Sequence, residues 1–197
     1  MDPEVIAALV AAFLVFFTSI FMEHRRRVHE AIAIAAGVKA EIKVVADVLH
    51  QMDIVEDFIF AYRNPRIYDQ RLWADESRKE NYFAFYDAIA SKIGMLPGGL
   101  AKEVVKFYGY SRVSRDATVP FSRNASRKMT PNAARKSAES VLFAIRNSLL
   151  AAELVLSYQQ KYFFSLGEIE KVDSKAVALL LCRIDSVLSG KRCPAHP

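Results

Sequence analysis

Seven basic residues crowd one short stretch of this 197-residue chain: Arg112, Arg115, Arg123, Arg127, Lys128, Arg135 and Lys136, against the single acid Asp116. Guanidinium and ammonium groups at that density attract phosphates irrespective of sequence, those of nucleic acid or of lipid headgroups alike. Phe121 is the only aromatic between them, so a platform for stacking bases lacks its parts. A solvated loop with no dedicated ligand explains the same residues as well. A second cluster sets His50 with Asp47, Asp53 and Asp57 at helical offsets of −3, +3 and +7. That is half of a carboxylate–histidine metal site, and a bundle metal centre needs a matching Glu-x-x-His helix. His24, His29 and His196 do not supply one, so a solvated acidic face is expected, with no metal and no other cofactor. The chain has no GxSxG, HExxH, Walker loop, GxGxxG or paired-cysteine zinc pattern. No catalytic residue is nominated and enzymatic activity is not expected.

Location is written more plainly than chemistry. Residues 5–22, VIAALVAAFLVFFTSIFM, carry no charge, and HRRR follows at 24–27. Eighteen helical residues reach about 27 Å, enough for a thin or locally compressed bilayer core. A helix apolar on every side has no face to give to water. The head, residues 1–4, is acidic, whereas Arg25, Arg26 and Arg27 flank the other end. Basic flanks resist translocation, which predicts an N-out/C-in single pass with the bulk of the chain cytoplasmic, at a plasma (inner) membrane. The same three arginines are candidate contacts for anionic headgroups. A cleaved signal peptide fits poorly, for want of a basic n-region and a small-residue cleavage site. Two cysteines, Cys182 and Cys193, make no disulfide framework, and a cytosolic setting would keep them reduced.

Seven glycines and seven prolines in the whole chain favour helices, whose interiors exclude both. Beyond the apolar run, Val38, Ile42, Val45, Leu49, Met52 and Ile59 recur at three and four, a heptad stripe suited to packing against a partner helix. Glu56 interrupts that seam. The spacing predicts one long helix over 23–62, ended by Asn64-Pro65, with Gly37 as a point of flexure. Helices follow with Tyr82, Phe85, Tyr86, Ile89 and Ile93 on one face, then Leu100, Val104, Phe107 and Tyr108 up to about Gly109. These aromatics at helical spacing are expected in the core. Residues 111–130 read as an exposed basic loop, Thr130-Pro131 as the start of a helix to about 164, and 168–189 as the last helix before the tail 190–197. Trp73, in the polar connection 63–77, is a candidate anchor for a partner.

The stretch FYDAIASKIGMLPGGLAKEVVKFY, 85–108, resembles a pattern in uncharacterised bacterial small single-pass membrane-anchored proteins. The resemblance covers about an eighth of the chain and implies a bacterial inner-membrane setting, with no activity to carry over. The expected fold is therefore all-α: an N-terminal transmembrane helix continuing into a cytosolic bundle of about four or five helices, residues 63–189 forming its larger part. The expected function is that of a membrane-tethered interaction, scaffold or sensor-accessory protein with a protein partner or a second copy of itself. The alternative is a module binding polyanions, lipid or nucleic acid, through 112–136.

Overall fold

The computed structural model describes residues 2–66, 83–121, 129–162 and 166–190. Among them run six helices and one small hairpin: α1 Pro3–Gln51, α2 Ile54–Arg63, α3 Ala84–Ile89, α4 Gly98–Ala117, α5 Pro131–Ser157, β1 Gln160–Lys161, β2 Glu168–Ile169 and α6 Lys175–Leu188. A 3-10 segment, Ala90–Met95, joins α3 to α4, and a shorter one, Val119–Phe121, follows α4. The fold is all-α, as the glycine and proline scarcity implies.

α1 is one helix of 49 residues, about 74 Å long. Asp2 caps it, accepting from the Glu4 N–H at 3.4 Å, and Pro3 occupies the first position, where its missing donor costs nothing. Up to Met22 its side chains are exposed all round, and from Val28 it becomes amphipathic, burying Val28, Ala31, Ile34, Ala35, Val38 and Ile42. Gly37 is no hinge. The helix runs unbroken through it, and the Phe85 ring lies on its Cα, where an added Cβ would overlap the ring. Glycine here makes a slot for an aromatic knob.

The long helix ends earlier than its heptads suggest. Met52 leaves helical geometry and Asp53 adopts φ 49°, ψ 25°, the left-handed region that aspartate tolerates better than most residues. α2 restarts after this break with Glu56 and Asp57 in its first turn, where carboxylates suit the helix dipole. Hydrophobic spacing carries on across such a break, so periodicity alone cannot show it.

α5 is the hub, packing on α4, α2, α6 and α1. Thr130 caps it by accepting from the Ala133 N–H at 3.3 Å, and Pro131 opens it. Between α4 and α5, Ser111 and Ser148 share a buried hydrogen bond of 2.6 Å, and Ser148 also donates to the Phe107 carbonyl at 3.2 Å. Small polar residues there let the two backbones approach. This joint also explains why α4 passes Gly109 and reaches Ala117: Ser111 continues the buried face of Leu100, Val104, Phe107 and Tyr108 with a polar residue. Residues 111–117, expected in a loop, are therefore helical. The aromatics do join the core, with Phe83, Phe107 and Tyr108 buried and Tyr86 stacked on Tyr108 at 3.9 Å.

The C-terminal region differs more. α5 stops at Ser157, and a hairpin pairs Gln160 with Ile169 and Lys161 with Glu168. Strands two residues long leave no alternation to read. Gly167, at φ 115°, supplies the backbone its turn requires, and Ile169 and Val172, expected on the last helix, precede it. Asp185 of α6 pairs with Arg146 at 2.5 Å, and Arg183 pairs with Glu56 at 3.1 Å. Glu56, the break in the seam, thus meets a residue of its own chain.

Gly37→Ala is expected to destabilise the body by about 1–3 kcal/mol through forced displacement of the Phe85 ring. In a Phe85→Ala background the same change should cost much less. Urea unfolding in detergent micelles, followed by circular dichroism, measures the cycle; simple additivity would contradict the slot.

Candidate functional site

Two charged residues on α1 join it to the body. Lys39 is 2 % exposed, and its ammonium donates to the carbonyls of Tyr158 at 2.5 Å, of Leu156 at 3.4 Å and of Glu170. Leu156 and Tyr158 lie at the C-terminal end of α5, where the helix dipole favours a cation; the Leu156 carbonyl also accepts from the Val172 N–H at 2.9 Å. Burial pushes the Lys39 ammonium below the ordinary lysine range, and the three carbonyl oxygens replace the water it has lost. Glu41 works in another direction. Its carboxylate accepts from the backbone N–H of Phe85 at 3.0 Å and of Tyr86 at 3.3 Å, and from the Tyr108 hydroxyl. It thereby serves the open N-terminal donors of α3. Burial first, and then the hydrogen bond to Glu41, raise the Tyr108 phenol far above its usual range, so it remains a donor.

The sequence-nominated basic residues are drawn into separate contacts. Arg112 pairs with Asp87 and sits 5.6 Å from the Tyr86 ring centre. Arg115 meets Asp116 at 3.5 Å. Arg135 lies 4.9 Å from the Tyr62 ring centre, donates to its hydroxyl at 3.4 Å and is held more firmly protonated by that bond. Lys136 is exposed on the second turn of α5. Arg26 and Arg27 both meet Glu23, at 3.0 and 2.8 Å, while Arg25 donates to the His29 ring at 3.4 Å. Arg123, Arg127, Lys128 and Trp73 fall outside the described residues.

Distance along α1 separates the two basic groups. Glu41, level with Tyr108, lies nineteen residues beyond Met22, about 28 Å along the axis. Lys92, ahead of α4, pairs with Glu30 at 2.5 Å, so α4 runs away from the apolar half of α1. Arg112 and Arg115 lie farther out still, remote from any bilayer around residues 5–22.

The heptad seam is occupied by the chain itself. Val38 and Ile42 are fully buried and Ile59 nearly so, Val45 and Leu49 pack against the same core, and only Met52 is exposed. For Val38, Ile42 and Ile59 the packing surface lies within the chain. The His50 constellation also comes apart, because its offsets assume one helix and Asp53 sits in the break. The His50 Nδ1 atom is buried without a hydrogen-bond partner. Among the described residues no group of three His, Cys, Asp or Glu is placed to hold a metal ion. An open cleft of about 280 Å³ lies between α1 and the start of α6, edged by Lys43, Asp47, Asp173 and Lys175. Cys182, expected reduced, is disulfide-bonded.

One surface escaped the sequence reading. Phe143, Leu150 and Leu154 of α5 are 58 %, 36 % and 55 % exposed, and spacings of seven and four align them on one face. That face lies opposite the buried stripe of Ala138, Val141, Leu142, Ile145, Leu149, Ala152 and Leu156. α5 is apolar enough to cross a membrane by composition, yet 56 % of its most apolar window is buried in the body, the pattern of a core helix with an apolar back. Counting apolar positions not needed by the inward stripe would have revealed it.

No known family model, curated protein or solved structure matches the chain.

Replacing Lys39 by the similarly long Met should destabilise the body by about 2–4 kcal/mol, because the Tyr158 and Glu170 carbonyls lose a buried donor. Thermal or urea unfolding reads the change. A neutral result would show that water reaches these carbonyls.

Proposed function

We propose that the chain is a membrane-tethered interaction protein: residues 5–22 span a bilayer, and the helical body holds a partner-binding face beside it. The observation that carries this reading is α1 itself. Every side chain from Val5 to Met22 is exposed, at a mean hydropathy of 2.7 over the most apolar window, while the same helix becomes core from Val28 onward. About 27 Å of helix without a polar face calls for a hydrocarbon surround. The back of α5 supplies a contact face for a protein, since exposed apolar side chains aligned on one helix are uncommon on a surface left to water. Among the described residues of the segment 112–136, Arg112 and Arg115 are set far from the span, and Arg112, Arg115 and Arg135 pair within the chain, which favours this reading over lipid binding by them.

Arg25, Arg26 and Arg27 beside the apolar run support an orientation with the body in the cytoplasm at an inner membrane, because basic flanks resist translocation. A second reading puts the body on the oxidising side, and the disulfide at Cys182 favours it. Protease added outside sealed cells distinguishes them: a body protected until lysis supports the cytoplasmic placement, and immediate digestion supports the other.

Two outcomes are expected in cells. Leu14→Arg with Phe17→Arg should release the protein from carbonate-washed membranes, two charges at the centre of the span costing about 5–7 kcal/mol. Phe143→Glu with Leu154→Glu should leave membrane retention intact and lower recovery of the cross-linked partner about tenfold or more, as loss of interface anchors does. Partner recovery unchanged by the second pair would remove α5 from the account.

A further inference from the structure

We infer that the near end of the body is itself a membrane-docking surface, whose occupant is the anionic leaflet that α1 leaves. This rests on the reading of residues 5–22 as a span. The apolar run ends at Met22, and Val28 is already 5 % exposed inside the body. Six helical residues, about 9 Å, separate the two. The headgroup zone of one leaflet is itself about 5–8 Å deep. The body has no room to stand clear of it.

Two elements lie at that level. The 3-10 segment Ala90–Met95 is drawn to α1 by the Lys92–Glu30 pair at 2.5 Å. The second strand of the hairpin lies along α1 with its Gly167 end nearer the apolar run: the Glu170 carbonyl reaches Lys39, whereas an added Cβ on Gly167 would lie 2.9 Å from the Ile32 Cδ1 atom. Charge matches the proposed occupant. Arg25, Arg26, Arg27, Lys92 and Lys161 outnumber Glu23, Glu30 and Glu168 at this end, and the acids are spent in ion pairs with their neighbours. Such exposed pairs hold weakly, so lipid phosphates compete for the cations. Docking at this end fixes the tilt of the body and turns α4, α5 and their exposed residues outward from the membrane.

The test uses the full chain, with Cys182 and Cys193 replaced by serine, in nanodiscs with or without phosphatidylglycerol. A single spin label is placed at Leu14, Ser91 or Val113, and its access to a water-soluble nickel reagent and to oxygen is measured. The label at 14 reports the span alone. With it in lipid, Ser91 should be about threefold or more better shielded from nickel than Val113, and the shielding should fall without the anionic lipid and in high salt. Equal exposure at 91 and 113, with 14 in lipid, overturns the docking and leaves the span intact. A water-exposed label at 14 overturns the span and the docking with it.

Discussion

The fold depends on how a single helix is held by two charged side chains two residues apart. Lys39 gives its ammonium to carbonyls at the end of α5 and beside the hairpin, and Glu41 takes donors from the start of α3 and from Tyr108. Each meets a helix end at the pole where its charge is wanted. Half a turn apart on α1, they fasten it to different parts of the body. Gly37, one turn before Glu41, receives the Phe85 ring whose backbone N–H Glu41 accepts. Contacts this local and this buried fix both the depth and the rotation of α1, which apolar packing alone, being non-directional, would leave looser.

Once α1 is fixed, the rest of the geometry follows. One half of the helix suits hydrocarbon and the other half is core, with about 9 Å between them. On the proposed span, anything packed beside residues 28–32 lies at the bilayer surface, and anything level with α2 or the end of α4 lies tens of ångströms away. α5 binds the remaining helices together through the serine joint with α4 and the ion pair with α6. On its apolar back, Phe143, Leu150 and Leu154 remain exposed.

What the sequence conveyed well were the features that repeat. The apolar run, the amphipathic stripe from Val28, the Thr130-Pro131 cap and the aromatic core all rest on spacing or on short local rules. What it did not convey were single events. Asp53 breaks a helix without breaking its periodicity, Ser111 extends a buried face with a polar residue, and a hairpin of two-residue strands has no period at all. Lys39 and Glu41 read as ordinary members of a charged helix face, because their partners, backbone groups and the Tyr108 hydroxyl, lie more than forty residues away. The seam from Val38 to Ile59 was visible as apolar, but spacing does not say whether a helix meets its own chain or another. Glu56 shows the same ambiguity, since its partner Arg183 is distant in sequence.

The whole arrangement depends on α1 running as one continuous helix from the proposed span into the core. Spin labels at Met22 and Val44, both exposed and on one face of the helix, bracket Gly37 and the level of Lys39 and Glu41. Their separation in nanodiscs, measured by double electron–electron resonance in a chain lacking Cys182 and Cys193, should form one narrow distribution near 33 Å, the rise of twenty-two helical residues. A broad distribution, or one centred well short of that length, would mean that the helix bends where it enters the body, and the account built on a rigid rod would fail.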